Sequence, residues 1–370
     1  MKNNKNSNPF GGIILGILML IGGTVLLWWN EGNNVKNINA VKEVKQNVVT
    51  VSSDKVDSSN EGKLVLTSGK LSNNGEELKD DVFGVAANSS ILKRNVEVYV
   101  WVEHESTSDN TTTYSYEKKW SDDLVDSSNF HESGHTNPTS LAVDDKEYTA
   151  AKVSVGAFNL SENQKTMLSA DVKHSIEEDN LDLTDSYRIS DGYVTTATNL
   201  STPEVGDIRI TWTYNDWSDT TILGVQKGDS FADYVSKDGK KINRVEKGVL
   251  TAEELILKME SENKMMKWLF RGLGALIIIL GYASILSPIS RLTSFIPIVG
   301  GVVGGIVGII AFLVGLVHSL LVIIVAWFRY RPLLAIILLV VVVALVIALI
   351  TILSKNKKKS TPVTEAKVVE

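Results

Sequence analysis

Four apolar stretches stand out along this chain, and each is long enough to cross a lipid bilayer. A membrane-spanning helix needs about 20 apolar residues to cross a hydrocarbon layer of about 30 Å. Residues 10–29 and 332–353 contain no charged side chain. Residues 268–286 contain one, Arg271, whose long side chain we expect to reach the membrane surface. Residues 295–327 supply the fourth apolar stretch, so the pattern predicts four membrane spans.

The ends of two stretches refine this prediction. Residues 295–327 are too long for one upright span, and we interpret residues 295–302 as a re-entrant or interfacial segment around Pro297 that leads into the helix. The first stretch ends in Trp28 and Trp29 instead of the small residues of a signal-peptide cleavage site. Paired tryptophans are typical of the membrane interface, so we interpret the first stretch as a retained anchor.

Residues 30–250 show a different pattern, in which apolar and polar side chains alternate over short runs. The segment Arg94–Ser106 places valines at every second position, and Thr111–Trp120 follows as its predicted hairpin partner. Asp207–Tyr214 repeats the alternation, and a short helix is expected near Ser161–Leu168. This region is therefore predicted to fold as a mainly β domain.

A longer helix is predicted at the end of this domain. Thr251 is followed three residues later by Glu254, which is the capping-box pattern, and acidic residues precede basic ones along residues 251–267. This amphipathic helix either continues into the span at residues 268–286 or bends at the membrane surface to meet it. It can therefore act as a stalk or as an interfacial helix that couples the domain to the membrane.

The charge distribution predicts the orientation. The net charge of −6 and the mean hydropathy of +0.06 are ordinary for a soluble protein because they average two unlike regions. With four spans, the lysines of residues 1–9 lie on the same side as Arg291 and the basic tail, residues 354–370, and the positive-inside tendency makes that side cytoplasmic. Four basic residues fall on the opposite side: Lys264, Lys267, Arg329 and Arg331.

The predicted fold is a multi-pass α-helical membrane protein with a large, mainly β extracytoplasmic domain, an α+β architecture. The chain contains no cysteine, so no disulfide stabilises that domain.

The sequence HESGH at residues 131–135 matches the H-E-x-x-H pattern of zinc metalloproteases. That pattern binds zinc because a helix places both imidazoles on one face, beside a glutamate that acts as base. Here Gly134 lies inside the motif, Pro138 follows it, and the flanking residues favour turns. We therefore favour a loop in which His135 hydrogen-bonds the turn over a metal site of His131, Glu132 and His135.

Other candidate chemistry is sparse. His318 lies beside Ser319 in the third predicted span, where an ionisable side chain suggests either a transport path or an interhelical hydrogen bond, and we favour the hydrogen bond. No phosphate-binding glycine loop, nucleophile elbow or dinucleotide fingerprint occurs in the sequence. We therefore predict no enzyme, no cofactor and no nucleic-acid partner.

Glycines recur at the start of the third span: Gly300, Gly301, Gly304, Gly305 and Gly308. A spacing of four residues forms a smooth stripe on a membrane helix, where another backbone can approach closely. This stripe fits packing among the four helices of one chain. It fits self-association or the docking of another membrane protein equally well.

Several motifs occur in a fixed order along the chain: NEGNNVK, NVEVYVWVEHES, YSYEKKW, NFHESGHTNP, PEVGDIRITWTY, AEELILKMESENKMMKW and FRYRPLLAIILL. With these motifs the chain resembles the transmembrane-protein-43 (LUMA) family over nearly its whole length. His131 and Glu132 fall outside the family pattern, which weakens the zinc interpretation. The residues of the NFHESGHTNP loop that match the family are Asn129, Phe130, Gly134, His135, Asn137 and Pro138.

This resemblance implies a membrane scaffold. Members of the family have four spans and a large luminal or extracytoplasmic domain, form homo-oligomers and organise other membrane proteins, and they are not known as enzymes. The resemblance therefore implies membrane lipid, further copies of the chain and other membrane proteins as partners. The composition suits a bacterial member in the cytoplasmic membrane, whereas eukaryotic members lie in the endoplasmic reticulum and inner nuclear membrane. The alternatives are a membrane metalloprotease that uses HESGH and a transport or channel component around His318.

Overall fold

The computed structural model describes the following residues: 9–108, 111–176, 181–293, 297–328 and 332–359. For some of these, among them residues 289–293 and 297–304, only the backbone is described. The chain divides into two compact units. We call them the helical unit (residues 1–43 and 256–370) and the β domain (residues 44–255).

The helical unit is built from long helices. The described residues contain five α-helices: α1 (Pro9–Asn47), α2 (Glu162–Lys165), α3 (Ala252–Thr293), α4 (Pro297–Phe328) and α5 (Pro332–Lys359). All except α2 contain stretches that are long and apolar enough to cross a membrane. These four helices agree with the four apolar stretches of the sequence.

The first helix is longer than the sequence suggests. α1 does not end at Trp29 but continues to Asn47, so the first residues of the region predicted as β structure are helical. The reason is a stripe of buried residues at helical spacing, in which a polar member interrupts the apolar pattern. The stripe consists of Leu27, Asn34, Val41 and Val44.

The boundaries of α3 and α4 bear on two further predictions. α3 is one continuous helix, so the amphipathic segment runs directly into the second apolar stretch, which is the first of the two predicted alternatives. α4 begins at Pro297, a residue type that suits the first helical position, and residues 297–302 form its first turns. Residues 297–302 are therefore helical, and the re-entrant or interfacial position predicted for them stays a prediction; residues 295 and 296 lie outside the described residues.

α1 and α3 lie antiparallel and approach each other closely at glycines. A Cβ atom added to Gly16 would lie 2.7 Å from the carbonyl oxygen of Gly281, and one added to Gly23 would lie 3.0 Å from that of Gly274. A side chain does not fit at such distances, so these glycines allow the two backbones to touch.

α4 packs on this pair, and α5 packs on α4. A Cβ atom on Gly315 of α4 would lie 2.9 Å from the Cα atom of Ile279 on α3. α5 contributes Ala335 and Val342 to a buried cluster that also contains Ile323 of α4.

The β domain contains eighteen strands in its described part: β1 (Val49–Thr50), β2 (Leu64–Ser72), β3 (Leu78–Lys79), β4 (Ala86–Ala87), β5 (Ile91–Ser108), β6 (Thr111–Ser121), β7 (Lys146–Thr149), β8 (Ser154–Val155), β9 (Phe158–Asn159), β10 (Val172–Lys173), β11 (Arg188–Ser190), β12 (Tyr193–Thr195), β13 (Ile208–Tyr214), β14 (Asp219–Lys227), β15 (Ser230–Ala232), β16 (Tyr234–Val235), β17 (Lys241–Ile242) and β18 (Arg244–Lys247).

Most of these strands form two seven-stranded sheets. The first has the order β15-β14-β2-β8-β9, with β1 beside β2 and β18 beside β14. The second has the order β11-β12-β13-β5-β6, with β10 beside β13 and β7 beside β5. One hydrophobic cluster contains buried side chains of both sheets, among them Val65 and Ile222 of the first and Val98, Ile210 and Trp212 of the second. The prediction of a mainly β domain is confirmed.

The hairpin predicted from the alternating valines is also confirmed. β5 and β6 pair antiparallel, with Val98 opposite Ser121 and Ser108 opposite Thr111. Val98 is fully buried, as are the neighbouring inward valines at every second position, Val96 and Val100. The period of two therefore identified both the strand and its buried face.

Both predicted helix starts are confirmed by their capping bonds. The hydroxyl of Ser161 accepts from the backbone N–H of Gln164, and the backbone N–H of Ser161 donates to the side-chain oxygen of Gln164, which starts α2. At the start of α3, Glu254 accepts from the backbone N–H of Thr251 at 2.8 Å, and Thr251 accepts from that of Glu254 at 3.2 Å.

An ion pair lies in the core of the β domain. The Nη1 atom of Arg94 donates to both carboxylate oxygens of Asp80 at 2.9 Å, and the indole N–H of Trp212 donates to Oδ2 at 2.9 Å. The backbone N–H groups of Val82 and Phe83 donate to Oδ1, each at 2.9 Å. The carboxylate is therefore surrounded by donors, which is what a fully buried charge requires.

Candidate functional site

A second buried ion pair lies in the helical unit, between α1 and α3. The Nε and Nη2 atoms of Arg271 donate to the two carboxylate oxygens of Glu31 at 2.5 and 2.9 Å, the bidentate geometry that suits these two groups. The indole N–H of Trp327 on α4 donates to the same carboxylate. Only 1% of the Glu31 side chain and 7% of the Arg271 side chain are exposed. The pair therefore joins three helices at one level.

Aromatic rings enclose the guanidinium of this pair. Its Cζ atom lies 4.8 Å from the ring centre of Trp268 and 4.5 Å from that of Trp327, which gives cation–π contact. The prediction that Arg271 reaches the membrane surface stays a prediction. The structure adds a buried counter-charge, Glu31, which lies far away in the sequence.

A hydrogen-bonded triad connects the same three helices elsewhere. The Nε2 atom of His318 on α4 lies 3.1 Å from the hydroxyl of Thr24 on α1, and its Nδ1 atom lies 3.2 Å from the hydroxyl of Tyr282 on α3. Thr24 donates its only hydroxyl proton to the carbonyl oxygen of Leu20 at 2.7 Å, so it accepts from His318. This geometry places a proton on Nε2, and in the neutral ring Tyr282 donates to Nδ1. The interhelical hydrogen bond favoured for His318 is confirmed.

The glycine stripe of α4 does not pack against this chain where its surroundings are described. A Cβ atom built on Gly305 or Gly308 would have no atom within 4 Å. On the same side of α4, Ile309 is 57% exposed and Phe312 is 50% exposed. The surroundings of Gly300, Gly301 and Gly304 lie outside the described residues. Packing within one chain therefore uses other glycines, such as Gly16 and Gly281, and leaves the described part of the stripe open.

The HESGH sequence forms a turn and not a helix. Gly134 has a φ of +98°, which interrupts any helical path from His131 to His135. The ring of His131 stacks on Tyr114 at 4.0 Å and that of His135 stacks on Tyr116 at 3.8 Å, so each imidazole lies on a different tyrosine of β6. Among the described residues, no group of three His, Cys, Asp or Glu side chains could hold a metal ion.

His135 has a packing role in place of the predicted hydrogen bond to the turn. Its Nδ1 atom is buried without a hydrogen-bond partner. Its ring instead stacks on Tyr116 and meets the edge of Trp101 at 4.6 Å. The favoured structural interpretation of the loop agrees with this geometry, but the hydrogen bond predicted for His135 is wrong.

A carboxylate ties the same loop to the hairpin. The hydroxyl of Tyr116 and the backbone N–H of His131 both donate to Glu103 at 2.5 Å. Because these donors favour the ionised form, with Tyr116 the larger cause, the pKa of Glu103 lies below its usual value. Together with the stacked rings, this bond fixes the loop across the hairpin.

Asn137 binds the open edge of β5. Its side chain accepts from the backbone N–H of Trp101 at 2.8 Å and donates to the carbonyl oxygens of Trp101 and Val125 at 2.9 and 3.0 Å. The side chain thus replaces a neighbouring strand. Asn129 makes one longer bond, 3.4 Å to Asp126, and Pro138 borders a cavity of about 400 Å³. Where their contacts are described, the family-matching residues of this loop bind neighbouring parts of the β domain, and their role is therefore structural.

Sequence reasoning missed the partners of both buried polar groups in the helical unit. Arg271 was recognised as the lone charge of its span, and a lone buried charge requires a counter-charge. The signal was available, because Glu31 is the first acidic residue after the first apolar stretch. Nothing in the local pattern identifies Thr24 or Tyr282 as partners of His318, since all three positions are distant in the chain.

Comparisons with known proteins identify the family to which the chain is similar. The family model described as Transmembrane protein 43 matches residues 98–332. The chain is similar to Transmembrane protein 43 of Rattus norvegicus, with 30% identity over 90% of this chain and 88% of that protein. It is 29% identical to the protein of that name from Homo sapiens over 90% of this chain and 88% of that protein.

A more distant relative is the Transmembrane protein 43 homolog of Drosophila melanogaster, which is 25% identical over 87% of this chain and 89% of that protein. No solved structure matches the chain significantly. The family model covers more than half of the chain, and the relatives align over most of both lengths. The chain therefore belongs to the Transmembrane protein 43 family of membrane proteins.

Proposed function

We propose that this protein is a multi-pass membrane scaffold, which associates with further copies of itself and docks other membrane proteins. Membership of a transmembrane family and four sufficiently long apolar helices support insertion of the chain into a membrane. The surface of α4 supports the scaffold role.

The observation that carries the proposal is the contrast between packed and open glycines. Glycine in a helix is less favourable than alanine by about 1 kcal/mol, and an open glycine offers little contact to lipid. In membranes such positions serve the close approach of a second helix. Gly16 and Gly281 serve such a close approach inside one chain, whereas Gly305 and Gly308 have no such neighbour among the described residues. A second copy of α4 is the occupant that we propose.

The shape of the open face fits this role. Gly305 and Gly308 form a shallow surface, and Ile309 and Phe312 on the same side of α4 are exposed large side chains. A flat glycine surface beside bulky neighbours can interlock with a copy of itself, which is the self-complementary contact of a two-fold dimer.

We further propose that the β domain lies on the extracytoplasmic side. The four long helices lie antiparallel in succession, which groups the start of α1, the end of α3, the start of α4 and the end of α5 at one end of the helical unit. In the sequence, this end carries Lys2, Arg291 and the basic tail at residues 354–370. The positive-inside tendency supports a cytoplasmic location for that end.

The mass of the full chain in lipid nanodiscs tests the proposal. We expect wild type to form an oligomer and Gly308→Leu to associate at least about tenfold more weakly, a change of about 1.4 kcal/mol. Gly22→Leu is the matched control, because Gly22 on α1 is also open within the chain but lies away from the stripe. A monomeric wild type, or equal association of wild type and Gly308→Leu, would reject self-association through α4.

Two alternatives receive less support from the contacts. A metalloprotease needs both HESGH imidazoles at one metal, but His131 and His135 lie on different tyrosines. A transport path through His318 needs a side chain that is available to a passing ion or proton, but both of its ring nitrogens lie at hydrogen-bond distance from Thr24 and Tyr282.

A further inference from the structure

We infer that a collar of indole rings, at the level of the Glu31–Arg271 pair, binds the headgroup and ester region of the lipid bilayer. The collar consists of Trp28, Trp29 and Trp268. This inference rests on the proposed insertion into a membrane, and it adds the place where the hydrocarbon layer ends on the helical unit.

The level of the collar follows from the contacts of the buried pair. The side chains of Glu31 on α1, Arg271 on α3 and Trp327 on α4 touch one another. Asn30 of α1 also donates to the carbonyl oxygen of Lys267 on α3 at 3.1 Å, which fixes how the two helices pass each other at this level. Trp28 precedes Glu31 by one helical turn, and Trp268 precedes Arg271 by one turn. Since α1 and α3 run in opposite directions, both indoles lie within about 5 Å of that level along the helix axis.

The collar rings face outward. Trp28 is 55% exposed, Trp29 is 51% exposed and Trp268 is 59% exposed, although Trp268 also touches Arg271. An indole combines an apolar ring with one N–H donor, so it is poorly placed both in hydrocarbon alone and in water alone. The ester carbonyls and phosphates of glycerophospholipids offer acceptors beside hydrocarbon, which fits both parts of the ring.

The surface changes character at this level on both helices. From the collar toward the start of α1 and toward the end of α3, the large exposed side chains are aliphatic: Ile14, Leu15, Ile17, Leu18, Ile21, Val25, Leu273, Leu276 and Leu280. In the other direction charged residues appear, with Lys36 and Lys42 on α1 and Lys258, Glu260 and Lys264 on α3, and they surround the exposed apolar side chains Leu257, Met265 and Met266. Two helices that change at one level indicate one boundary.

The length of the apolar surface agrees with a bilayer. The run from Phe10 to Trp29 has twenty residues and therefore spans about 30 Å as a helix, which is the thickness of the hydrocarbon layer. Near its far end, the hydroxyl of Ser284 on α3 donates to the carbonyl oxygen of Gly12 at 2.7 Å. α1 and α3 thus remain paired along the whole of this length.

The chemistry of the collar predicts no requirement for lipid charge. The guanidinium at this level is neutralised by Glu31, and the ammonium of Lys267, 5.8 Å from the ring centre of Trp268, can meet the phosphate that zwitterionic headgroups also carry. Zwitterionic glycerophospholipid is therefore a sufficient partner.

The absence of cysteine from the chain allows a direct test with single-cysteine variants of the full protein in phosphatidylcholine nanodiscs. Lys264→Cys lies outside the collar and Leu276→Cys lies inside it, and both positions are exposed on the protein surface. A water-soluble maleimide should label Lys264→Cys at least about tenfold faster, because the reactive thiolate does not form in hydrocarbon. In denaturing detergent the two rates should be equal, which controls for local reactivity.

Tryptophan quenching by brominated phosphatidylcholine supplies an independent readout. Bromine near the headgroup should quench the fluorescence more than bromine near the bilayer centre, and the Trp28→Phe, Trp29→Phe, Trp268→Phe triple variant should lose most of that difference. Equal labelling in nanodiscs, or stronger quenching by deep bromine, would overturn the collar. If the chain does not enter nanodiscs at all, both the collar and the proposed membrane function are rejected. A monomeric mass with the expected labelling would reject only self-association.

Discussion

Two buried carboxylates, Asp80 in the β domain and Glu31 in the helical unit, are stabilised by different kinds of donor. Each accepts from one arginine and one tryptophan. Asp80 also accepts from the backbone N–H groups of Val82 and Phe83, because the turn that follows it leaves these groups available to a side chain. The β domain thus supplies part of the stabilisation from two to three residues away.

Glu31 lies inside α1, where backbone N–H groups are bonded to carbonyl oxygens four residues earlier. Its donors are side chains of other helices, Arg271 on α3 and Trp327 on α4. The difference teaches that a turn can stabilise a buried charge locally, whereas a helical unit does so only after several helices have assembled. The Glu31 pair should therefore be the more sensitive of the two to loss of one partner.

The largest effect is expected when the arginine of each pair is replaced by methionine. Arg271→Met should destabilise the helical unit by about 3–5 kcal/mol, because among the described residues Glu31 then retains only the Trp327 donor for a buried charge. Arg94→Met should cost less, because two backbone donors and Trp212 remain for Asp80. Hydrogen exchange of the full chain, followed separately in α3 and in β5, measures both losses.

A charge exchange sharpens this comparison. The double variant Glu31→Arg with Arg271→Glu should recover part of the stability that either single variant loses, since the pair is restored with opposite polarity. A loss in Arg94→Met that equals or exceeds the loss in Arg271→Met would contradict the role given to backbone donors.

A smaller effect is expected from glycines of α1 that differ only in their surroundings. Gly16→Ala should destabilise the helical unit by about 1–3 kcal/mol, because the new Cβ would meet the backbone of Gly281. Gly22→Ala should be neutral or stabilising by up to about 1 kcal/mol, because the position is open and alanine favours the helix. Unfolding of the full chain in mixed detergent gives both values, and equal losses would exclude the close helix contact.

In the β domain, two asparagines of the family-matching loop offer a matched pair. Asn137→Ala should destabilise the domain by about 1–3 kcal/mol, because it leaves the edge of β5 at Trp101 without its hydrogen bonds. Asn129→Ala should change stability by no more than about 0.5 kcal/mol, since its single bond to Asp126 is long. Thermal unfolding of the full chain, followed by near-ultraviolet circular dichroism, distinguishes them, and an equal response would remove the special role of Asn137.

The smallest effect concerns Asp81, the exposed neighbour of Asp80. Hydrogen bonds from Lys146 and then from Tyr148 lower the pKa of Asp81 to about 2 from an ordinary value of 3.8. Because the pKa is lowered in the folded state, the contribution of ionised Asp81 to the stability of the fold is complete above pH 3.8. That contribution disappears as the pH falls through about 2. Asp81→Asn should lack this dependence. Unfolding of wild type and variant between about pH 2 and pH 5 tests it, and parallel curves would exclude the effect.

The sequence predicted those features that depend on near neighbours. The valines of β5 alternate with a period of two, so the buried face of the hairpin could be identified from local spacing. The capping box at Thr251 depends on residues three positions apart, and it is formed. The short helix expected near Ser161–Leu168 is also present, as α2. The four apolar stretches are likewise visible because each is continuous.

Features that depend on distant partners could not be predicted in the same way. The extension of α1 to Asn47 carries polar residues whose helical role depends on the rest of the fold. The pairing of Arg271 with Glu31 joins two helices that are separated by the entire β domain. The stacking of His135 on Tyr116 replaced a predicted hydrogen bond, since spacing alone does not reveal which ring faces a loop.

The central claim is that the open face of α4 is where copies of this chain meet. The chain has no cysteine, so a disulfide between two copies of a single-cysteine variant can form only through the introduced residue. We expect Gly308→Cys to give a covalent dimer on mild oxidation in intact membranes, whereas Gly22→Cys, equally open but on α1, stays monomeric. Gly308→Cys that remains monomeric, or crosslinks no better than Gly22→Cys, would contradict the claim.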